Sequence, residues 1–325
     1  MRMNYGHLGK IVALSCALWT CVASAQTASY PDKAVKVLMP WSDGFPANAT
    51  RLYGNLLSEQ LKQPFVVDVR PGAGGELAAR QVIQTAPDGY TLLSTGSSIT
   101  IRSVLDKANA DADRDLKPIA QLVTTPYVIV AKTGKYGSFK GFLDAARAHP
   151  GTINFASAGV GTGMHYLGEL LNVNAAIQIV HVPYSTGSRQ LQAVLAGDVQ
   201  IAIISLVTAL PQIKAGALEP LAVSSHRRSR VAPNVPTLRE VGVKDIPDIG
   251  AWIALFGPKN LEPAVGKVLS ERIAAIAADP SVAQTVASWG ADIPDTSSSY
   301  LEEVIRAEKA TWSRLMKDKN LVESK

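Results

Sequence analysis

The run Phe155-Ala-Ser-Ala-Gly159-Val-Gly161-Thr-Gly163-Met-His165 is the part of the chain whose residue types best suit binding chemistry. Residues 152–155 before it read as a short strand, and residues 165–171 after it as a helix. Three glycines therefore sit where a strand end meets a helix start. N–H groups at a helix start have no intrahelical partners, and the helix dipole adds positive potential there. Such a turn suits an anion, and glycine lets the ligand approach the main chain. From the turn alone two readings stay open. It is half of a carboxylate clamp built on Ala158, Gly159, Gly161 and Thr162, or it is a tight turn packing helix on strand.

Other chemistries fit poorly. Gly159-Val-Gly161-Thr-Gly163 looks like a dinucleotide turn, but Met164 stands where the third glycine of G-x-G-x-x-G belongs, and no ribose-binding acid ends the next strand. No G-x-S-x-G elbow marks a hydrolase, and no His/Asp/Glu set has metal-ligand spacing. The cysteines, Cys16 and Cys21, both lie at the N-terminus, which removes cysteine nucleophiles, disulfides and thiolate metal sites from the rest of the chain. The expectation is no catalysis, no cofactor and no metal.

The elements that position the turn follow from periodicity. Residues 35–39, 65–69 and 90–94 read as strands. The first runs into a turn-rich loop over residues 40–48, the second into Arg70-Pro71-Gly72-Ala73-Gly74-Gly75 and a helix over 76–85, and the third into Gly96-Ser97-Ser98. A helix spans 50–61. The pattern restarts with a strand at 127–131, a helix at 139–149 and the glycine turn. Strands at 177–182, 199–204 and 218–224 follow, with helices at 188–196 and 206–214 between them. Residues 231–247 are loop-rich, with Asn234-Val235-Pro236-Thr237 capping a short helix. A strand at 251–256 precedes helices at 263–278, 281–289 and 298–319. Strands alternating with helices predict a parallel sheet covered on both faces, with ligands beyond the carboxyl ends of the strands.

At 325 residues and 47% apolar content, the chain suits two domains with real cores. The formal charge of +5 is spread along the chain, and Arg227-Arg228-Ser229-Arg230 is its one local basic cluster. With aromatics at 6%, this composition speaks against nucleic acid. Arg2 and Lys10, the apolar run 11–22 and Ala23-Ser24-Ala25 match an export leader cleaved near Ala25. The expected compartment is the periplasm.

Across nearly all of this exported portion, the chain resembles the Bug-type solute-binding receptors of tripartite tricarboxylate transporters. The resemblance rests on Tyr30-Pro31-Asp32-Lys33, Gln63-Pro64-Phe-Val-Val67, Arg70-Pro71-Gly72-Ala73-Gly74-Gly75 and Ala86-Pro87-Asp88-Gly89-Tyr90. It continues in Asn154-Phe155-Ala-Ser-Ala-Gly159, His181-Val182-Pro183-Tyr184, Ala209-Leu210-Pro211-Gln212 and Val235-Pro236-Thr237. The resemblance implies a two-lobed α/β fold like the type II periplasmic binding proteins, with the ligand between lobes joined by crossing strands. The lobes would be residues 26–124 with 250–325, and residues 125–249. It implies a monomeric receptor that delivers a small organic acid to membrane permease subunits. A ligand sensor for a signalling membrane protein would share this cleft.

Carried onto this chain, the resemblance places Trp41, Gly44, Phe45, Asn48, Gly74, Gly75, Ser97 and Ser98 on the first jaw. It places Ala158, Gly159, Gly161, Thr162, His165, Tyr184 and Ser205 on the second. Trp41 and Phe45 would form an apolar wall, the serines and Thr162 would donate hydroxyls, and Tyr184 would offer a phenol and a stacking face. His165 would bond the ligand, cap its helix or pack, and His181 would be a satisfied core histidine. The chain departs from the family pattern at Gly44-Phe45, at Ala47 and Asn48 where an acid is usual, and at Ile204. Losing acids from the cleft would reduce repulsion of an anion or rejection of a neutral group, and is also compatible with a less polar, aromatic ligand.

Overall fold

The computed structural model describes residues 30–318. The expected leader, its expected cleavage site and both cysteines lie outside the described residues. The chain runs β1 (Val35–Met39), α1 (Gly44–Leu61), β2 (Phe65–Val69), α2 (Glu76–Ile83), β3 (Thr91–Gly96), α3 (Ser98–Leu105) and β4 (Leu116–Lys132). It continues α4 (Phe139–Ala148), β5 (Ile153–Ser157), α5 (Gly163–Asn174), β6 (Ile179–Pro183), α6 (Gly187–Ala196), β7 (Ile201–Ser205), α7 (Leu206–Lys214) and β8 (Leu218–Val223). Last come β9 (Gly250–Pro258), α8 (Pro263–Ala277), α9 (Pro280–Trp289) and α10 (Ser298–Asp318).

The strands follow the order β2-β1-β3-β9-β4-β7-β5-β6, with β8 also on β4. β1 is parallel to β2 and β3, and β5 is parallel to β6 and β7. Side chains alternate between faces, and both faces are covered. Leu92 and Leu93 of β3 enter different cores, as do Ile203 and Ile204 of β7. Double coverage explains why these strands read as unbroken apolar runs.

One strand organises the cleft. β4 pairs with β9 along Leu116–Pro126 and with β7 along Tyr127–Ala131. Gly96, the last residue of β3, faces Ile253 of β9, which faces Val123 of β4. Ser205, the last residue of β7, faces Tyr127 of β4. β3 runs in the direction of β4, and β7 runs against it. The carboxyl ends of the two strand sets therefore approach the middle of β4 from opposite directions, and their levels on β4 are about 13 Å apart at the rise of an extended chain. Every loop that follows a parallel strand opens onto this gap.

The structure differs from the sequence expectation in five places. The sheet is mixed where a parallel one was expected, since β9 is antiparallel to β3 and β4, and β4 is antiparallel to β7 and β8. Gly44–Asn48 belong to α1 instead of a long loop, since Pro46 falls in the first turn, where a missing N–H costs nothing. β4 begins eleven residues before the expected strand at Tyr127, because Pro118 and Pro126 hide its first half. There β9 is the one named strand beside β4, with an isolated bridge from Thr124 to Asp292, and β4 shifts register near Pro118, a place where proline is tolerated. α3 was not anticipated. Thr237 makes the two capping bonds with Glu240, Glu240 N–H to Thr237 Oγ1 and Thr237 N–H to Glu240 Oε2, but only a turn follows. In addition, α10 is shared between halves: Leu301 and Ile305 pack with Leu38 and Phe256, whereas Trp312 and Met316 pack with Phe155 and Leu170.

α5 is seated on β5 by a missing side chain. A Cβ at Gly168 would lie 2.2 Å from Cζ of Phe155, whose ring is wholly buried. On an exposed helix, Gly→Ala stabilises by about 1 kcal/mol. Here Gly168→Ala should destabilise by about 1–3 kcal/mol through overpacking, read as a lowered urea midpoint. An unchanged midpoint would show that α5 is not seated on Phe155.

Candidate functional site

The first jaw is built from the loops after β1, β2 and β3. Gly75 has a left-handed φ of 100°, and a Cβ there would lie 3.3 Å from Cγ of Pro40. The turn after β2 thus lies on the turn after β1. A Cβ at Gly96 would meet the Trp252 carbonyl at 2.5 Å and Cη2 of Trp41 at 3.5 Å. Only glycine fits at the end of β3, and the Trp41 indole covers it. Ser97 is buried and hydrogen-bonded to the Tyr127 phenol, and Ser98 opens α3. Gly44 and Asn48 are exposed. Phe45 is 4% exposed and packs with Ala49 and Tyr53 in the core, so it does not stand as an open wall.

The second jaw is the β5–α5 turn with the loops after β6 and β7. Thr162 is the N-cap of α5: its hydroxyl accepts the His165 N–H at 3.3 Å and donates to the Gly159 carbonyl at 2.7 Å. The Gly159 N–H goes to Ser157 Oγ, the Gly161 N–H to His165 Nδ1, and the Thr162 N–H to the Gly159 carbonyl. These donors, expected to hold a ligand, hold the turn instead. An α-helix leaves its first N–H groups without intrahelical acceptors. Gly163 and Met164, the first two residues of α5, carry those that the turn does not absorb.

Two histidines back this turn. The His165 and His181 rings are 4.3 Å apart, and His181 Nε2 is hydrogen-bonded to Ser157 Oγ at 2.5 Å. Burial lowers the pKa of His165. Burial, then the charge of His165, lowers that of His181 to about 4. Both rings are neutral near pH 7, and the positive potential of the jaw comes from α5. His165 serves as an acceptor inside the turn, and His181 is satisfied within the protein. Tyr184 is half-buried against the core that holds Ala193, Val194 and Ile204, and its N–H donates to the Ser157 carbonyl. Ser205 is buried, with its hydroxyl 2.7 Å from that of Thr208.

Tyr127 joins the jaws at the cleft floor. A Cβ at Gly163 would lie 2.7 Å from its hydroxyl, which also bonds Ser97. Above it, a Cβ at Gly161 would lie 3.4 Å from Cδ1 of Leu105 on α3. Ser97, Gly161, Thr162 and His165 thus gather around one floor, with Trp41, Gly75 and Ser98 on the facing jaw. Ala158 is exposed, as is Asn48 on α1, and Phe45 is buried in the core. The sequence reading passed over Tyr127 and the α3 residues Arg102 and Leu105, whereas Gly163 lay within the glycine turn whose main-chain N–H groups it assigned to the ligand. Tyr127 read as an ordinary strand residue, and its sole signal was its place opposite the end of β7. A separate hollow of about 1020 Å³ lies under α10, lined by Gln121, Trp252, Glu308 and Arg227, and none of the expected site residues lines it. Among the described residues, no group of acids, histidines or cysteines is placed to hold a metal ion, and no helix is long and apolar enough to cross a membrane.

Residues 50–321 match the family model described as the tripartite tricarboxylate transporter family receptor. Protein BugT of Bordetella pertussis is 27% identical over 313 residues, covering 94% of this chain and 96% of that protein. MatC from Rhodopseudomonas palustris, solved with bound malate, superposes with a TM-score of 0.79 at 27% identity, over 88% of this chain and 99% of that one. A second R. palustris protein, solved with adipate, gives a TM-score of 0.82 at 25% identity, over 89% and 97%.

Proposed function

Because the chain belongs to the tripartite tricarboxylate transporter receptor family, we propose that it is an extracytoplasmic receptor that captures a small organic acid between its jaws and passes it to a membrane permease. The observation that carries this reading is the convergence of both sets of strand-end loops on the middle of β4, with the start of α5 at the gap. The acids held by the two R. palustris proteins, malate and adipate, support a carboxylate as the ligand class. In this reading residues 26–124 with 250–325 form one lobe and residues 125–249 the other, α10 being a strap across both. Trp41, Gly75, Ser97 and Ser98 face Gly161, Thr162, Tyr184 and Ser205, and the protein works as an exported monomer without catalytic chemistry.

Binding requires no bond-making group here. The Gly163 and Met164 N–H groups meet an anion at a helix start, where several dipoles add. Tyr127, tied to Ser97, fixes the floor and sets how far the jaws close. Closure would be a hinge about β4 and β9, as in other two-lobed receptors.

A thermal-shift panel of mono- and dicarboxylates, aromatic acids, amides and nicotinamide dinucleotides tests the reading. An acid at a hundredfold its dissociation constant should stabilise the protein by about 2.7 kcal/mol. A shift from dinucleotides alone, or from no acid at all, would overturn it.

A further inference from the structure

α3 carries a charge that the jaws as described leave without use. Ser98, Arg102 and Leu105 are spaced i, i+4 and i+7, and so share one face of the helix. Leu105 touches the opposite jaw at Gly161, so this face looks into the cleft. Arg102 lies between Ser98 and Leu105 on it. A Cβ at Gly74 would lie 2.9 Å from Nη1 of Arg102 and 3.3 Å from Cζ. The guanidinium therefore rests on the first jaw's glycine turn, in space that exists because Gly74 has no side chain.

This guanidinium lacks an anion. Its Nε is buried without a hydrogen-bond partner, and no ion pair among the described residues includes Arg102. Glu76 borders the same small hollow, but Arg80 holds it at 2.6 Å and the Ala110 N–H at 3.0 Å. A buried N–H donor left without a partner is costly, and a fork of N–H donors matches a carboxylate in two-point fashion.

We propose that Arg102 is a specificity residue of the cleft, its guanidinium pairing with a carboxylate of the ligand beside Gly74 and Gly75. The proposal rests on the receptor reading above. With the start of α5 taking one carboxylate, Arg102 takes a second, and the chain selects diacids over their half-neutral analogues.

The test uses calorimetric titration of wild type, Arg102→Gln and Arg102→Lys with malate, adipate and adipic acid monoamide. Wild type should prefer adipate to its monoamide by roughly 30-fold, as loss of a buried charge pair implies. In Arg102→Gln that preference should collapse towards one, while Arg102→Lys keeps part of it and ligand-free melting changes little. If Arg102→Gln loses diacid and monoamide in equal measure, the residue is merely structural and the proposal fails. Unchanged diacid affinity in Arg102→Gln fails it too. A wild type that binds neither malate nor adipate also overturns it, while binding of another acid from the panel would leave the receptor reading standing.

Discussion

Thr162→Asp should leave the protein folded and cut its affinity for an organic acid roughly a thousandfold, whereas Thr162→Asn should bind nearly as wild type does. The separation follows from two roles at one position. The Thr162 side chain caps α5 by accepting the His165 N–H, and Asp and Asn are caps as good as Thr or better. Asp adds a charge that the helix start favours by about 0.3–1 kcal/mol. The same charge occupies the potential meant for the ligand. Two like charges 4 Å apart repel by about 4 kcal/mol at an effective dielectric of 20, and each tenfold in affinity is about 1.4 kcal/mol. Melting curves should show both variants folded, with Asn at or above Asp because its amide can still donate to the Gly159 carbonyl as Thr162 does, and titration with whichever acid binds wild type should rank Asp last. Equal affinity of the Asp and Asn variants would remove the α5 start from the site.

The contrast between Thr162 and Phe45 shows what the sequence carries and what it leaves out. Strand and helix periodicity located β1, β2 and α7 to the residue. Which loops end up at the cleft was legible as well, since chain direction in a parallel sheet fixes it. What each side chain does in those loops was not. Phe45 follows a strand among turn formers, and so reads as a pocket wall. The helix starting at Gly44 turns it onto the side of Ala49 and Tyr53, and it is buried. The Thr162 hydroxyl reads as a donor to a ligand and is absorbed by its own helix cap.

α3 was hidden for a different reason. Ile99, Thr100, Ile101 and Val104 favour extended chain. The helix is held by what surrounds it: Ile99 enters one core, Ile101 another, and Thr100 meets Glu308 of α10, 208 positions away. Local propensity has no access to such contacts. Arg102 stayed out of sight with the helix that presents it, and so did the approach of Leu105 to Gly161.

Glu308→Gln should flatten the pH dependence of stability between about pH 4.5 and 7, and should make the protein more stable than wild type at pH 8. The Glu308 carboxyl accepts the Trp252 indole N–H at 2.9 Å and lies 2.6 Å from Thr100 Oγ1. Burial raises its pKa from 4.5 to about 7. The geometry agrees with a proton on the acid. Thr100 has one hydroxyl proton, and the Ser97 carbonyl lies 2.7 Å from the same oxygen. If Thr100 donates to Ser97, Glu308 must donate to Thr100. Because the folded pKa lies above the unfolded one, the contribution is fully present below pH 4.5 and is lost as pH rises through 7. The span is worth about 3 kcal/mol. Gln reproduces the protonated acid at every pH, its oxygen taking the Trp252 N–H and its amide reaching Thr100. Urea unfolding of both proteins at pH 4.5, 6 and 8 measures the difference. Parallel curves would mean that Glu308 is ionised in the folded protein, and that the Ser97–Thr100–Glu308 chain beneath the cleft floor is not held by a proton.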